Sequence, residues 1–163
     1  MDLTTALRER HSCRAFLAKV PSRESIMRAV ESASTAPSSK NMQPWKLFIA
    51  LGEAANRIRD ELCACFDDKL EMNPDYRYSP AEMPPEMLDR ARVCGISLFA
   101  HKGIAREDKE GRRNHDRENF SLFNAPAVAV LTLPRVAEKG TFSTAASSSP
   151  SSCSRCARRA TRP

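Results

Sequence analysis

Two short stretches carry side chains whose types and spacing could do chemistry. The first is RERHSCRAF, residues 8–16, where Arg10, Ser12 and Arg14 recur at every second position. In an extended segment alternate side chains share a face, so two guanidinium forks and a hydroxyl would converge. That set suits a terminal phosphate dianion, which accepts charge-assisted and bidentate hydrogen bonds. On these residues alone the signal is weak, since arginines beside a helix end are usually solvated surface charge. The second stretch is APSSKNMQPW, residues 36–45, with Ser38, Ser39, Asn41 and Gln43 crowded into one bend. A planar heterocycle with alternating carbonyls and an N–H needs partners that both donate and accept, and Asn and Gln amides do both. Taken alone, the same residues also make an ordinary turn, where Pro, Ser and Asn serve the backbone.

The elements that must position these groups follow from pattern. DLTTALRER reads as a short helix with Asp2 as its cap, and HSCRAF as extended chain. Pro21-Ser22 opens a second helix, with Ile26, Met27, Val30 and Ala33 as its apolar stripe. WKLFIAL, rich in aromatic and β-branched residues, predicts a buried strand directly after the amide-rich bend. GEAANRIRDELCACFDDKL is amphipathic, with Ala55, Ile58, Leu62 and Phe66 on one face. MNPDYRYSPAEMPP is a proline-bearing surface excursion. PEMLDRARVCGISLFAHKGI is helical, with Pro85 in its first turn. AREDKEGRRNHDREN is a solvated helix or loop, and APAVAVLTL is a second strand. Helices and strands alternate, which places the fold in the α/β or α+β class.

Composition narrows the functional classes. The 163 residues are 41% hydrophobic and 28% charged, in the range of ordinary globular domains. The net charge of +6 is concentrated in four arginines of the last stretch, Arg155, Arg158, Arg159 and Arg162. The preceding part carries too little excess charge for a nucleic-acid surface. Charges in MDLTTALRERHS stand where a secretory signal needs an apolar run, and no stretch is long and apolar enough to span a bilayer. The expectation is a cytoplasmic protein with reduced thiols and no nucleic-acid or membrane partner. Cys63 and Cys65 fit helix packing; the histidines are scattered, and Cys153 and Cys156 form a lone C-x-x-C, so no metal site is expected.

Taken together, RHSCRAF, one amphipathic helix, APSSKNMQPW and a strand resemble the FMN-dependent nitroreductase family. MLDRARVCGISLFAHKGIAREDKEGR and NFSLFNAPAVAVL look like the segment that many members place before their next strand. The resemblance implies an α+β fold, a mixed sheet flanked by helices, and a homodimer with FMN in the subunit interface. It implies that Arg10, Ser12 and Arg14 hold the phosphate and ribityl end. Ser38, Ser39 and Asn41 would contact flavin from the partner subunit, with Gln43 assisting. The implied activity is ping-pong transfer from NADH or NADPH to a nitroaromatic, quinone or similar small-molecule acceptor, with no acid–base residue assigned. Other classes remain open on the residues: a flavin-fold relic without turnover, or an interaction protein using a basic Ser/Arg tail.

Residues 1–142 are expected to form an FMN-binding domain that is incomplete at its C-terminus, and 143–163 a low-complexity, disordered tail. Between Gly140 and Pro163 there is no Leu, Ile, Val or Met. Members of the family continue there with Asp-x-Gly, apolar residues and a helix closed by a Gly-aliphatic turn and Thr. If the last base of each codon is read with the first two of the next, Ser143 to Ala146 can give Asp-x-Gly. Arg158 to Pro163 can give Glu-Ala-Gly-Tyr-Gln-Thr, whereas Pro150 cannot give the family's Gln. The expectation is a frame shift near Phe142.

Overall fold

A computed structural model of the protein describes residues 2–76, 80, 82–143 and 145–146. The chain divides into two compact units: residues up to Asp60 together with those from Leu122 onward, and Glu61–Ser121 between them.

In the first unit, helix α1 runs from Leu3 to Glu9. Asp2 caps it as expected, its carboxylate accepting from the Thr5 N–H at 3.0 Å and from the Thr5 hydroxyl at 2.7 Å. Residues 10–22 form no regular element. Helix α2 spans Arg23–Ser34, and the Ser22 hydroxyl accepts from the Ser25 N–H at 3.2 Å. Its buried residue is Ala29, flanked by half-buried Ile26, Val30 and Ala33. Met27 was expected in the stripe but is exposed, because the contact face is centred one position further round on the small Ala29.

A 3-10 turn over Ser39–Asn41 leads into strand β1, Lys46–Leu51. Strand β2, Ala127–Thr132, pairs with it antiparallel, Lys46 opposite Thr132 and Leu51 opposite Ala127. The fold is α+β, with a small sheet flanked by helices. Among the described residues that sheet is one antiparallel pair, narrower than a mixed sheet. WKLFIAL is not buried: Phe48 is 60% exposed, and Leu47 and Ile49 are exposed beside it. Its β-forming side chains select strand geometry, but burial needs a covering layer, and none of the described residues provides it there.

Helix α3 spans Glu53–Asp67. Near its start Ala55 is only 1% exposed, the best-buried residue of the small core formed with Ala29 and Ala145. Residues 139–143 and 145–146 are helical, and the remainder of 143–163 lies outside the described residues, as does part of the proline-bearing excursion.

The second unit takes the end of α3 with helix α4, Pro85–His101, and helix α5, Lys109–Phe120. Pro85 stands at the first turn of α4, where its missing N–H costs nothing. Asp108 caps α5, accepting from the Gly111 N–H at 2.8 Å, so the charged run resolves as helix rather than loop. Cys63 is buried and Cys65 half-buried, in agreement with a packing role. Asp67 ties α3 to α5. Arg117 donates to it from Nε at 2.9 Å and from an η nitrogen at 2.7 Å, and Arg113 donates at 2.9 Å. The Arg117 hydrogen bonds hold the Asp67 carboxyl below its ordinary range, against a partial desolvation that works the other way. Arg113 also lies 5.3 Å from the Phe66 ring centre, and Phe66 is 4.7 Å from Phe120.

Candidate functional site

The amide-rich bend is held in an unusual backbone shape. Lys40, Asn41 and Gln43 have φ of 50°, 53° and 44°, in the left-handed region. For Asn that is tolerable; for Lys and Gln it is strained. Three hydrogen bonds stabilise the shape. The Asn41 N–H donates to the Ser38 carbonyl and the Met42 N–H to the Ser39 carbonyl, both at 3.0 Å. The Gln43 N–H donates to the Ser38 hydroxyl, also at 3.0 Å. Ser38 is therefore half-buried and occupied in fixing the turn. Ser39, Asn41 and Gln43 are exposed, and among the described residues their side chains make no hydrogen bond. The turn thus uses the Asn41, Met42 and Gln43 N–H groups internally and leaves the Asn41 and Gln43 amides exposed.

The basic stretch is arranged differently from a strand. Arg10 ends α1 in an extended conformation and begins a segment without ladder pairing. Arg10 and Ser12 are exposed and, among the described residues, their side chains have no hydrogen-bond or ion-pair partner. Arg14 is exposed too, but its guanidinium lies 5.7 Å from the centre of the Phe123 ring. Phe123 itself sits in a second strained turn, where Leu122, Phe123 and Asn124 have φ of 50°, 52° and 56°. NFSLFNAP shows a turn-forming Asn-Ala-Pro, but nothing in its spacing reveals a ring opposite Arg14.

The two clusters belong to opposite ends of the sheet. The amide bend enters β1 at Lys46, which pairs with Thr132. The Phe123 turn enters β2 at Ala127, which pairs with Leu51 at the far end. Val20 lies beside Gly52 at that same far end, where the Gly52 N–H donates to the Pro126 carbonyl at 3.2 Å. Five residue steps separate the ends, about 17 Å at ~3.4 Å per residue. No hydrogen bond joins Arg10, Ser12 or Arg14 to Ser38, Ser39, Asn41 or Gln43 among the described residues. The chain thus presents two separate polar clusters. No group of His, Cys, Asp and Glu able to hold a metal occurs among the described residues.

With this geometry in place, comparison with known proteins becomes informative. The sequence profile of the nitroreductase family matches residues 7–153. The chain belongs to the nitroreductase family. That match takes in both clusters and runs beyond Phe142. Among curated nitroreductases, the chloronitrobenzene nitroreductase of Comamonas testosteroni is 28% identical over 137 residues, covering 83% of this chain and 60% of that protein. Nitroreductase NfnB of Mycolicibacterium smegmatis is 31% identical over 134 residues, covering 81% of this chain and 56% of its own length. The chain therefore spans under two thirds of these relatives. Among solved nitroreductases, the FMN and NADPH-dependent NfnB of Sphigopyxis sp. strain HMH superposes with a TM-score of 0.89 at 27% identity, covering 98% of this chain and 72% of that one.

Proposed function

We propose that this chain is an FMN-dependent NAD(P)H oxidoreductase that reduces nitroaromatics, quinones or similar small acceptors. The observation that carries this reading is the pair of exposed half-sites in a chain of the nitroreductase family. The donor set fits the cofactor. Arg10, Ser12 and Arg14 would hold the FMN phosphate and ribityl end, with cationic forks matched to a dianion. Phe123 keeps the Arg14 guanidinium from collapsing onto the surface. Ser38, Ser39 and Asn41 would address the ring system, their hydroxyls and amide serving both its carbonyls and its N–H, with Gln43 assisting. Bound FMN supplies the electron-carrying ring that NADH or NADPH reduces and the acceptor reoxidises. The protein's own task is to bind, orient and shield, and no side chain is assigned as acid or base.

Because the half-sites lie at opposite ends of the ladder, we place the cofactor between two copies of the chain, each supplying one half. A cytoplasmic location accompanies this reading; among the described residues no helix is long and apolar enough to cross a membrane. We also propose that residues 143–163 are an out-of-frame translation, although the family match runs on to residue 153, and that the chain as it stands binds FMN weakly. The DNA on either side of the Phe142 codon tests the frame, and an early stop codon in the adjacent frame refutes it.

The decisive experiment titrates FMN and riboflavin into the purified chain and its frame-corrected form, then follows NADPH oxidation with nitrobenzene. Arg14→Ala should weaken FMN by about tenfold or more, the worth of a charge-assisted contact, and leave riboflavin almost unchanged. A frame-corrected protein that is colourless and takes up neither flavin sinks the assignment.

A further inference from the structure

The second unit holds a feature that the flavin half-sites do not use. Between α4 and the start of α5 lies a cleft of about 810 Å³, lined by Arg92, Ile96, Phe99, Ile104, Arg106 and Arg112. Its lining mixes apolar side chains with three guanidinium groups and holds no acidic side chain. Two nearby acids are engaged elsewhere: Asp108 caps Gly111 and Glu118 pairs with Lys102. Among the described residues none of the three arginines has an ion-pair partner. Arg112 is the most constrained of them. Its guanidinium lies 4.9 Å from the Phe99 ring centre, and its Nε is buried without a hydrogen-bond acceptor.

A buried N–H of a permanently charged group without an acceptor is costly to leave so. An anion in the cleft would meet the guanidinium groups that line it, and Ile96, Ile104 and the Phe99 ring would cover an apolar body behind it. The volume lies within the range of small-molecule sites. We infer that this cleft binds a small amphipathic carboxylate, with the carboxylate on Arg112 and Arg106 and the hydrocarbon part on α4. The charged run 106–117 is thus not wholly a solvated face: Arg106 and Arg112 line the cleft, while Arg113 and Arg117 pair with Asp67. The site lies within one compact unit and its occupancy does not depend on flavin.

Benzoate is the probe and benzamide its neutral isostere, each titrated calorimetrically into the full chain without flavin. Benzoate should bind saturably and benzamide at least tenfold more weakly, since it lacks the charge-assisted bond. Arg106→Gln, at an exposed position where folding is not at stake, should weaken benzoate about tenfold, and Arg112→Gln at least as much. Equal affinities for benzoate and benzamide, absence of saturable benzoate binding, or unchanged affinity in Arg106→Gln overturns the inference. Parallel FMN titrations keep the two readings separate. Loss of benzoate with FMN retained defeats only the cleft, and loss of FMN with benzoate retained defeats only the flavin assignment.

Discussion

Replacing Ser38 by Ala removes the side-chain acceptor that receives the Gln43 N–H at 3.0 Å. The bend it closes is finely balanced. Lys40 and Gln43 each carry a left-handed backbone that costs roughly 1–2 kcal/mol, and Asn41 somewhat less. Against this stand three hydrogen bonds, each worth about 1 kcal/mol net. Losing one of three should tip the turn by about 1 kcal/mol, or roughly fivefold in the population of the native bend. Hydrogen exchange reads this directly, and the Gln43 amide in Ser38→Ala should exchange about fivefold faster. Ser38→Thr keeps a hydroxyl and should restore the native rate. The same loss of order should weaken FMN and riboflavin to a similar degree, because the bend addresses the ring and not the phosphate. If the Gln43 amide exchanges at an unchanged rate in Ser38→Ala, or Ser38→Thr fails to restore it, the strained-turn reasoning is wrong.

Other outcomes follow from the packing and charge. Asp67 has its carboxyl pKa depressed by Arg117, so its ion pair stabilises the fold above the ordinary carboxylate pKa and is lost as pH falls through the depressed value. Thermal unfolding of Asp67→Asn should therefore differ from the parent at pH 6, and the gap should close as the pH drops below about 4; a constant gap refutes the linkage. Ala55→Leu places three extra carbons where exposure is 1%, and should lower stability in urea by about 1–3 kcal/mol. Phe48→Thr, at a 60% exposed strand position opposite the exposed Val130, should change unfolding free energy by less than about 0.5 kcal/mol. Light scattering should nevertheless show less self-association, because the variant interrupts an apolar strand face.

The two candidate clusters were visible in the sequence because their residues are local: Arg10, Ser12 and Arg14 span five positions and Ser38 to Gln43 six, and it was the family resemblance that assigned them a phosphate end and a ring end. The caps were legible for the same reason: Asp2 and Ser22 act on the N–H three residues later, a distance set by helix geometry. Burial was less accessible. Met27 belongs to the helical repeat yet faces outward, and the apolar WKLFIAL run lies largely uncovered, because burial depends on what other segments bring to that face. The Arg14–Phe123 contact and the left-handed turn beneath it join positions more than a hundred residues apart, and no pattern in either stretch predicts the other.

By itself, then, the sequence determined the helices, the two strands, the caps and the two chemically competent clusters, since each is governed by neighbours a few bonds away. Only the tertiary structure decided that the clusters sit at opposite ends of one antiparallel ladder, and that two arginines of a seemingly solvated run, Arg106 and Arg112, join Arg92 of α4 along an apolar cleft. Strand pairing and helix packing are settled by contacts between distant segments, and it is those contacts that choose which side chains meet a ligand together.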